Sequence, residues 1–194
     1  MKNILKKATM LALVLGTLSV NAKVTEINNS EDATVVQFGF VRKGAQIFIK
    51  DAQDYLLYKY KVDQTGQFFK SFDFTTLPNG EYFFEVHEER TIQIMPFEVA
   101  EGHVNFEEKD NYTVFKPVLR SIDSKVTFNW LTVKNDPLEV RIYDTKDRLL
   151  YKEKVTNKNE VKRVFNMSNA KNTDFVFTVK AGNRRFVERI ELKK

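Results

Sequence analysis

The chain has 194 residues, no cysteine, and a net charge of +5 from 31 Lys and Arg against 26 Asp and Glu. Without thiols there are no disulfides, thiolate metal sites, thiol redox steps or cysteine-linked lipid anchor, so stability rests on packed cores. The basic excess is small and interspersed with acids, which excludes nucleic acid or an acidic membrane as the evident partner.

Lys2, Lys6 and Lys7 open the chain, Ala8 to Val20 is an apolar run, and Val20-Asn21-Ala22 closes it with small residues. This is the three-part layout of a secretory signal peptide, and the run is too short to span a bilayer. Residues 1–22 are expected to direct Sec export and to be cleaved after Ala22. That leaves a mature chain with no membrane span and a charge of +2, once the three lysines are taken from +5. The expected location is the periplasm, the cell surface or the medium.

The mature chain reads as strands and turns. Lys23 to Asp32 is a polar leader or an edge strand. Thr34 to Val41, Gln46 to Lys50, Tyr55 to Val62 and Phe68 to Phe74 are β-branched or aromatic stretches, separated by Arg42-Lys43-Gly44, Asp51 to Asp54 and Asp63 to Gly66. Leu77-Pro78-Asn79-Gly80 is a turn, because proline fixes φ while Asn and Gly tolerate positive φ. Tyr82, Phe84 and Val86 alternate with Phe83 and Glu85, and Thr91 to Val99 follows. Glu101 to Asn111 is charged and reads as a junction, with a short strand available at His103 to Phe106. Tyr112 to Leu119, Lys125 to Val133, Leu138 to Tyr143 and Arg148 to Val155 are the next strands. Stretches around Val161, Phe165 and Met167, then Phe175, Phe177 and Val179, then Phe186 to Leu192, complete the chain.

The second half repeats the first. Ile47 to Val99 aligns with Val140 to Leu192 without a gap, so that Asp51, Asp54, Leu56, Leu57, Tyr58, Lys59, Lys61 and Val62 meet the same residue types at Asp144, Asp147, Leu149, Leu150, Tyr151, Lys152, Lys154 and Val155. A period this long indicates tandem domains, since solenoid repeats run to roughly 20–50 residues. The expected fold is all-β: two tandem Ig-like antiparallel β-sandwich domains after the signal peptide, over residues 23–107 and 108–194.

The stretch Leu77-Pro78-Asn79-Gly80-Glu81-Tyr82 resembles the L-P-x-G-x-Y segment of small secreted Ig-like domains of Bacteroidetes. These include the C-terminal sorting domains of type IX secretion and related short periplasmic proteins. Val140-Arg141-Ile142-Tyr143-Asp144 followed by Leu149-Leu150-Tyr151 is similar to the upstream hairpin of that family. The last copy has Ala170-Lys171-Asn172-Thr173-Asp174-Phe175 in place of L-P-x-G-x-Y, and no Pro-Asn-Pro opens it. The resemblance implies a stand-alone exported protein of two such modules; the alternative is a sorting domain carrying the first copy as cargo.

No catalytic, cofactor or metal residues are assigned from the sequence. His87, beside Glu85, Glu88 and Glu89, and His103 are the only histidines; a metal needs three or four converging ligands, and Glu85 and His87 lie opposite Phe84 and Val86, on an expected solvent face. Asp51/Asp54 and Asp144/Asp147 recur as calcium-capable carboxylates or, more commonly in such turns, as caps for backbone N–H groups. The serines lie in no nucleophile turn, and no closely spaced glycines form a phosphate loop. Trp130 shares a face with Val126 and Phe128, which fits a core position, or alternatively a sugar platform. Tyr55, Tyr60 and Trp130 are the candidate partner-binding rim, with edge-strand pairing as the associated mode. The functional expectation is a non-enzymatic binding, adhesion or envelope-assembly module, with a protein or glycan partner at the cell envelope. A carbohydrate-binding accessory module is the alternative, and a hydrolase would require polar groups converging in a pocket.

Overall fold

The computed structural model describes residues 33–132 and 136–192. The expected signal peptide, its cleavage site, the leader before residue 33, Val133 and Asn135 lie outside the described residues. The first part forms β1 (Thr34–Val41), β2 (Gln46–Asp51), β3 (Leu56–Lys61), β4 (Gly66–Phe72), β5 (Gly80–His87), β6 (Thr91–Ala100), β7 (His103–Phe106) and β8 (Tyr112–Phe115). A 3-10 turn, Glu108–Asp110, precedes β8. The second part forms β9 (Val118–Ile122), β10 (Lys125–Leu131), β11 (Leu138–Asp144), β12 (Leu149–Val155), β13 (Glu160–Asn166), β14 (Asp174–Ala181) and β15 (Arg184–Glu191). All pairings are antiparallel.

Each copy is a β-sandwich. In the first, β1 and β4 form one sheet, and β3-β2-β5-β6-β7 form the other, with β8 also paired to β6. In the second, β13-β10-β9 faces β12-β11-β14-β15. Alternation dictates the interior. Val36 and Phe38 from β1 meet Ile47, Ile49, Phe84, Val86, Phe97 and Val99 from the opposite sheet in one buried cluster. Phe38 lies 5.1 Å from Phe84 and 6.2 Å from Phe72, both edge-on. Val126, Phe128, Val161, Ile142, Phe175, Phe177 and Val179 make a separate second cluster. The aromatic wealth of the sequence goes mostly into the first core, where ring pairs add to burial.

Tyr112 to Leu119 is not one strand. Pro117 lacks an N–H and interrupts it, so β8 hydrogen-bonds to β6 of the first copy, with Thr91 opposite Phe115, whereas β9 joins the second copy beside β10. The expected division between residues 107 and 108 therefore falls before β8.

Candidate functional site

The repeated hairpin is built by one turn used twice. Asp51 Oδ1 accepts hydrogen bonds from the N–H groups of Gln53 and Tyr55, both at 2.9 Å. Asp144 Oδ1 does the same for Lys146 at 2.9 Å and Arg148 at 3.0 Å. Asp54 and Asp147 occupy the left-handed region, at φ 67° and 55°, as Asp tolerates. These carboxylates therefore fold the turn. Asp144 is buried, and Arg148 also donates to its Oδ2 from Nε at 2.7 Å; these bonds, Arg148 Nε foremost, hold its carboxyl below the usual range.

Beyond the turn, β3 and β12 each lie at one edge of their sheet, and among the described residues no second strand pairs with either. Both carry a β-bulge at the same place: Ile49 pairs with Tyr58 and Lys50 with Leu56, just as Ile142 pairs with Tyr151 and Tyr143 with Leu149. Leu57 and Leu150 are the extra residues. Leu56, Leu57, Leu149 and Leu150 are all about half exposed, so each edge opens on the same apolar pair. Along β3 the faces then separate. Tyr58 and Tyr60 sit opposite Ile49 and Ile47 on the core side, while Lys59 and Lys61 sit opposite Phe48 and Gln46 on the outer side.

The three rim candidates are not brought together. Tyr55 is 71% exposed beside the Leu56-Leu57 pair. Tyr60 is half-buried, stacked on Phe68 at 5.5 Å with Lys70 Nζ 4.6 Å from its ring centroid. Trp130 corrects the rim expectation: it is 3% exposed in the second core with Val126 and Phe128, and its Nε1 has no hydrogen-bond partner. Burial follows from its position on the inward face of β10, opposite Val161 of β13.

A second cluster lies where the copies meet, and it overturns the expected solvent face of β5. Glu85 is 3% exposed. Ile92 and Ile94, on the same outer face of the sheet, are buried as well, and Arg184, at the start of β15, reaches across to Glu85 with Nη2 2.5 Å from Oε1. His87 Nε2 lies 2.7 Å from Glu85 Oε2, and Lys50 Nζ 3.4 Å from it. Burial alone would raise the Glu85 pKa; the hydrogen bonds from His87 and Arg184, with the charges of Arg184 and Lys50, outweigh it and lower it to about 2. Lys116 Nζ donates to the Glu88 carbonyl at 2.6 Å nearby, and burial pushes its pKa down. The cluster is a junction: Arg184 and His87 bond Glu85 directly, and Lys50 is shared between Glu85 and Asp54, to which it donates at 2.7 Å. His103 is exposed at the start of β7. Among the described residues no three His, Asp or Glu side chains are grouped as metal ligands.

Reading residues by local alternation missed the junction, because Arg184 and Glu85 are 99 positions apart. Its trace in the sequence is a difference between the copies: Thr178 stands where Glu85 stands, and Thr91 where Arg184 stands.

No family model and no curated protein matches the chain. Solved structures it is similar to include a biofilm-associated protein BSP domain (13% identity, TM-score 0.31, covering 84% of this chain and 28% of that one). Another is the FN1-FN3 domains of chicken CNTN1 (13%, 0.28, 90% and 65%). A third is the receptor tyrosine kinase Torso (12%, 0.28, 91% and 75%). The chain spans less than two thirds of the first two. The class defined by its own sheets is an all-β, antiparallel β-sandwich protein.

Proposed function

We propose that this is an exported, non-enzymatic binding, adhesion or envelope-assembly module made of two duplicated Ig-like domains. The observation that carries the reading is the repeated edge: the same bulge and the same exposed Leu-Leu pair at the free strand of both copies. Half-exposed leucines beside an unpaired strand are costly to leave uncovered, and retaining them in both copies fits a surface used for contact. The charged clusters support the non-enzymatic reading, since the groups around Glu85 and Asp144 are consumed in structural pairs. The domains divide at Lys116-Pro117, between β8 and β9. The signal-peptide layout and the resemblance to secreted Bacteroidetes domains support the periplasm or cell surface as the location, and a protein or glycan there as the partner. The carbohydrate reading needs two exposed aromatics in one plane; with Trp130 buried and Tyr60 stacked on Phe68, only Tyr55 of the three rim residues stands open.

The test is a photo-crosslinking residue at Leu57 or Leu150 in the native host, with mass spectrometry of cell fractions. The reading predicts an N-terminus at Lys23 and crosslinks to envelope components from either position. A cytosolic chain retaining Met1, or an exported chain that crosslinks to nothing, refutes it. Loss of the second copy from a surface or medium fraction would instead identify it as a sorting domain.

A further inference from the structure

The two edges share their cations but not their anions. In the second copy Lys152 and Lys154 each lie 3.6 Å from Glu139, and Arg163 bonds Glu153 through Nε at 3.0 Å and Nη2 at 2.5 Å. The bond from Arg163, above all, holds the Glu153 carboxyl below its usual range. The first copy places Lys59, Lys61 and Lys70 at the equivalent positions. Gln46 and Tyr60, however, stand where Glu139 and Glu153 stand. Lys59 Nζ lies 5.6 Å from the centre of the Phe48 ring, and Lys70 Nζ lies over Tyr60 and, at 5.8 Å, Tyr58. Among the described residues no carboxylate lies within ion-pair distance of any of these three lysines. One copy thus neutralises its basic edge internally, and the other leaves it open.

The open charges flank a free strand. Lys59 and Lys61 line the outer side of β3, Tyr58 and Tyr60 the core side, and the unpaired backbone runs between them. We propose that the free edge of β3 receives an extended segment of another protein in which acidic and apolar residues alternate. The segment adds as a strand: its acidic side chains face Lys59 and Lys61, its apolar ones face Tyr58 and Tyr60, and its backbone pairs with β3. This inference rests on the edge being the binding surface, as proposed above. A second copy of the chain fits the edge worse, because pairing β3 with β3 sets lysine against lysine. An acidic glycan fits it worse too, since it offers no strand backbone to pair with β3.

The test uses the full mature chain and a capped peptide of alternating Glu and Val. Binding is read by titration at two salt concentrations and by hydrogen exchange of the β3 amides. Gln46→Glu with Tyr60→Glu installs in the first copy the acids that the second copy already accommodates. The expected results are binding that weakens with salt, slowed exchange at β3, and a loss of about tenfold or more in the double variant. The reciprocal pair, Glu139→Gln with Glu153→Tyr, is expected to open β12 to the same peptide. Should the first variant fail to fold by circular dichroism, Lys59→Gln with Lys61→Gln, at exposed positions, takes its place with the same expected loss. The inference is overturned if the peptide leaves β3 exchange unchanged, or if the charge variants bind within twofold of the parent. It is equally overturned if an oligomer of uronic acids protects β3 as well as the peptide does. Peptide failure alongside intact envelope crosslinks from Leu57 overturns this inference alone; absence of those crosslinks overturns the functional reading itself.

Discussion

Replacing Glu85 by glutamine removes one charge from the junction while keeping the size of the side chain. Glu85 is 3% exposed, so solvent screening is slight. Its carboxyl is lowered from the ordinary 4.5 to about 2. That difference corresponds to ~3 kcal/mol in favour of the folded chain at neutral pH. The sign follows from the depressed value: the contribution is complete above pH 4.5 and is lost as pH falls from 4.5 to 2. Glu85→Gln is therefore expected to cost about 2–3 kcal/mol at pH 7, and the gap to the parent should close towards pH 2. Urea unfolding across this range is the assay. Far-UV circular dichroism reports all strands, and the emission of Trp130, the single tryptophan, reports the second copy. A gap below about 0.5 kcal/mol at pH 7 would refute the electrostatic account of the junction, because that is the size of an ordinary surface substitution. So would a gap that stays constant down to pH 2.

Four further outcomes are expected. Phe38→Ala should cost about 3–5 kcal/mol by denaturant unfolding, since Phe38 is fully buried among Phe68, Phe72 and Phe84; Phe128→Ala should cost as much, with the loss falling on the transition seen by Trp130. Gly44→Ala should cost about 1 kcal/mol in the same assay: its φ is 90°, and nothing lies within 4 Å of the added Cβ, so only the backbone conformation resists. Asp144→Ala should destabilise more than Asp51→Ala in paired melts, because Asp144 also anchors Arg148.

Most of the strand plan was legible because one face of each sheet is buried and leaves a period of two. Tyr82, Phe84 and Val86 are buried as their alternation implies. The turn ahead of them sits one step earlier than read: it is closed by Leu77 N–H donating to the Phe74 carbonyl at 3.0 Å, Gly80 already opens β5, and Tyr82 Oη donates to the Pro78 carbonyl at 2.8 Å. What escaped were features set by contacts distant in sequence. Glu85 reads as a solvent residue by local alternation, whereas it is buried and bonded to Arg184, which arrives from the second copy. The split at Pro117 was readable, since proline cannot continue a strand ladder, but which sheet each half joins was not. The rim candidates failed as a set for a related reason. Tyr55, Tyr60 and Trp130 were grouped by residue type, whereas the exposed group is Tyr55 with Leu56 and Leu57, gathered by a bulge that sequence does not announce.

The joint between the copies also limits what the architecture can become. A head-to-tail contact between like modules, if every module carries both halves of it, propagates into an open fibre. Here the halves are divided: the first module holds the acid, Glu85, and has Thr91 where the arginine belongs; the second holds Arg184 and has Thr178 where the acid belongs. A third module could not dock onto either end by the same bond. Across the two halves of the sequence the Glu85–Arg184 bond can therefore form only once, because threonine stands at the other two equivalent positions.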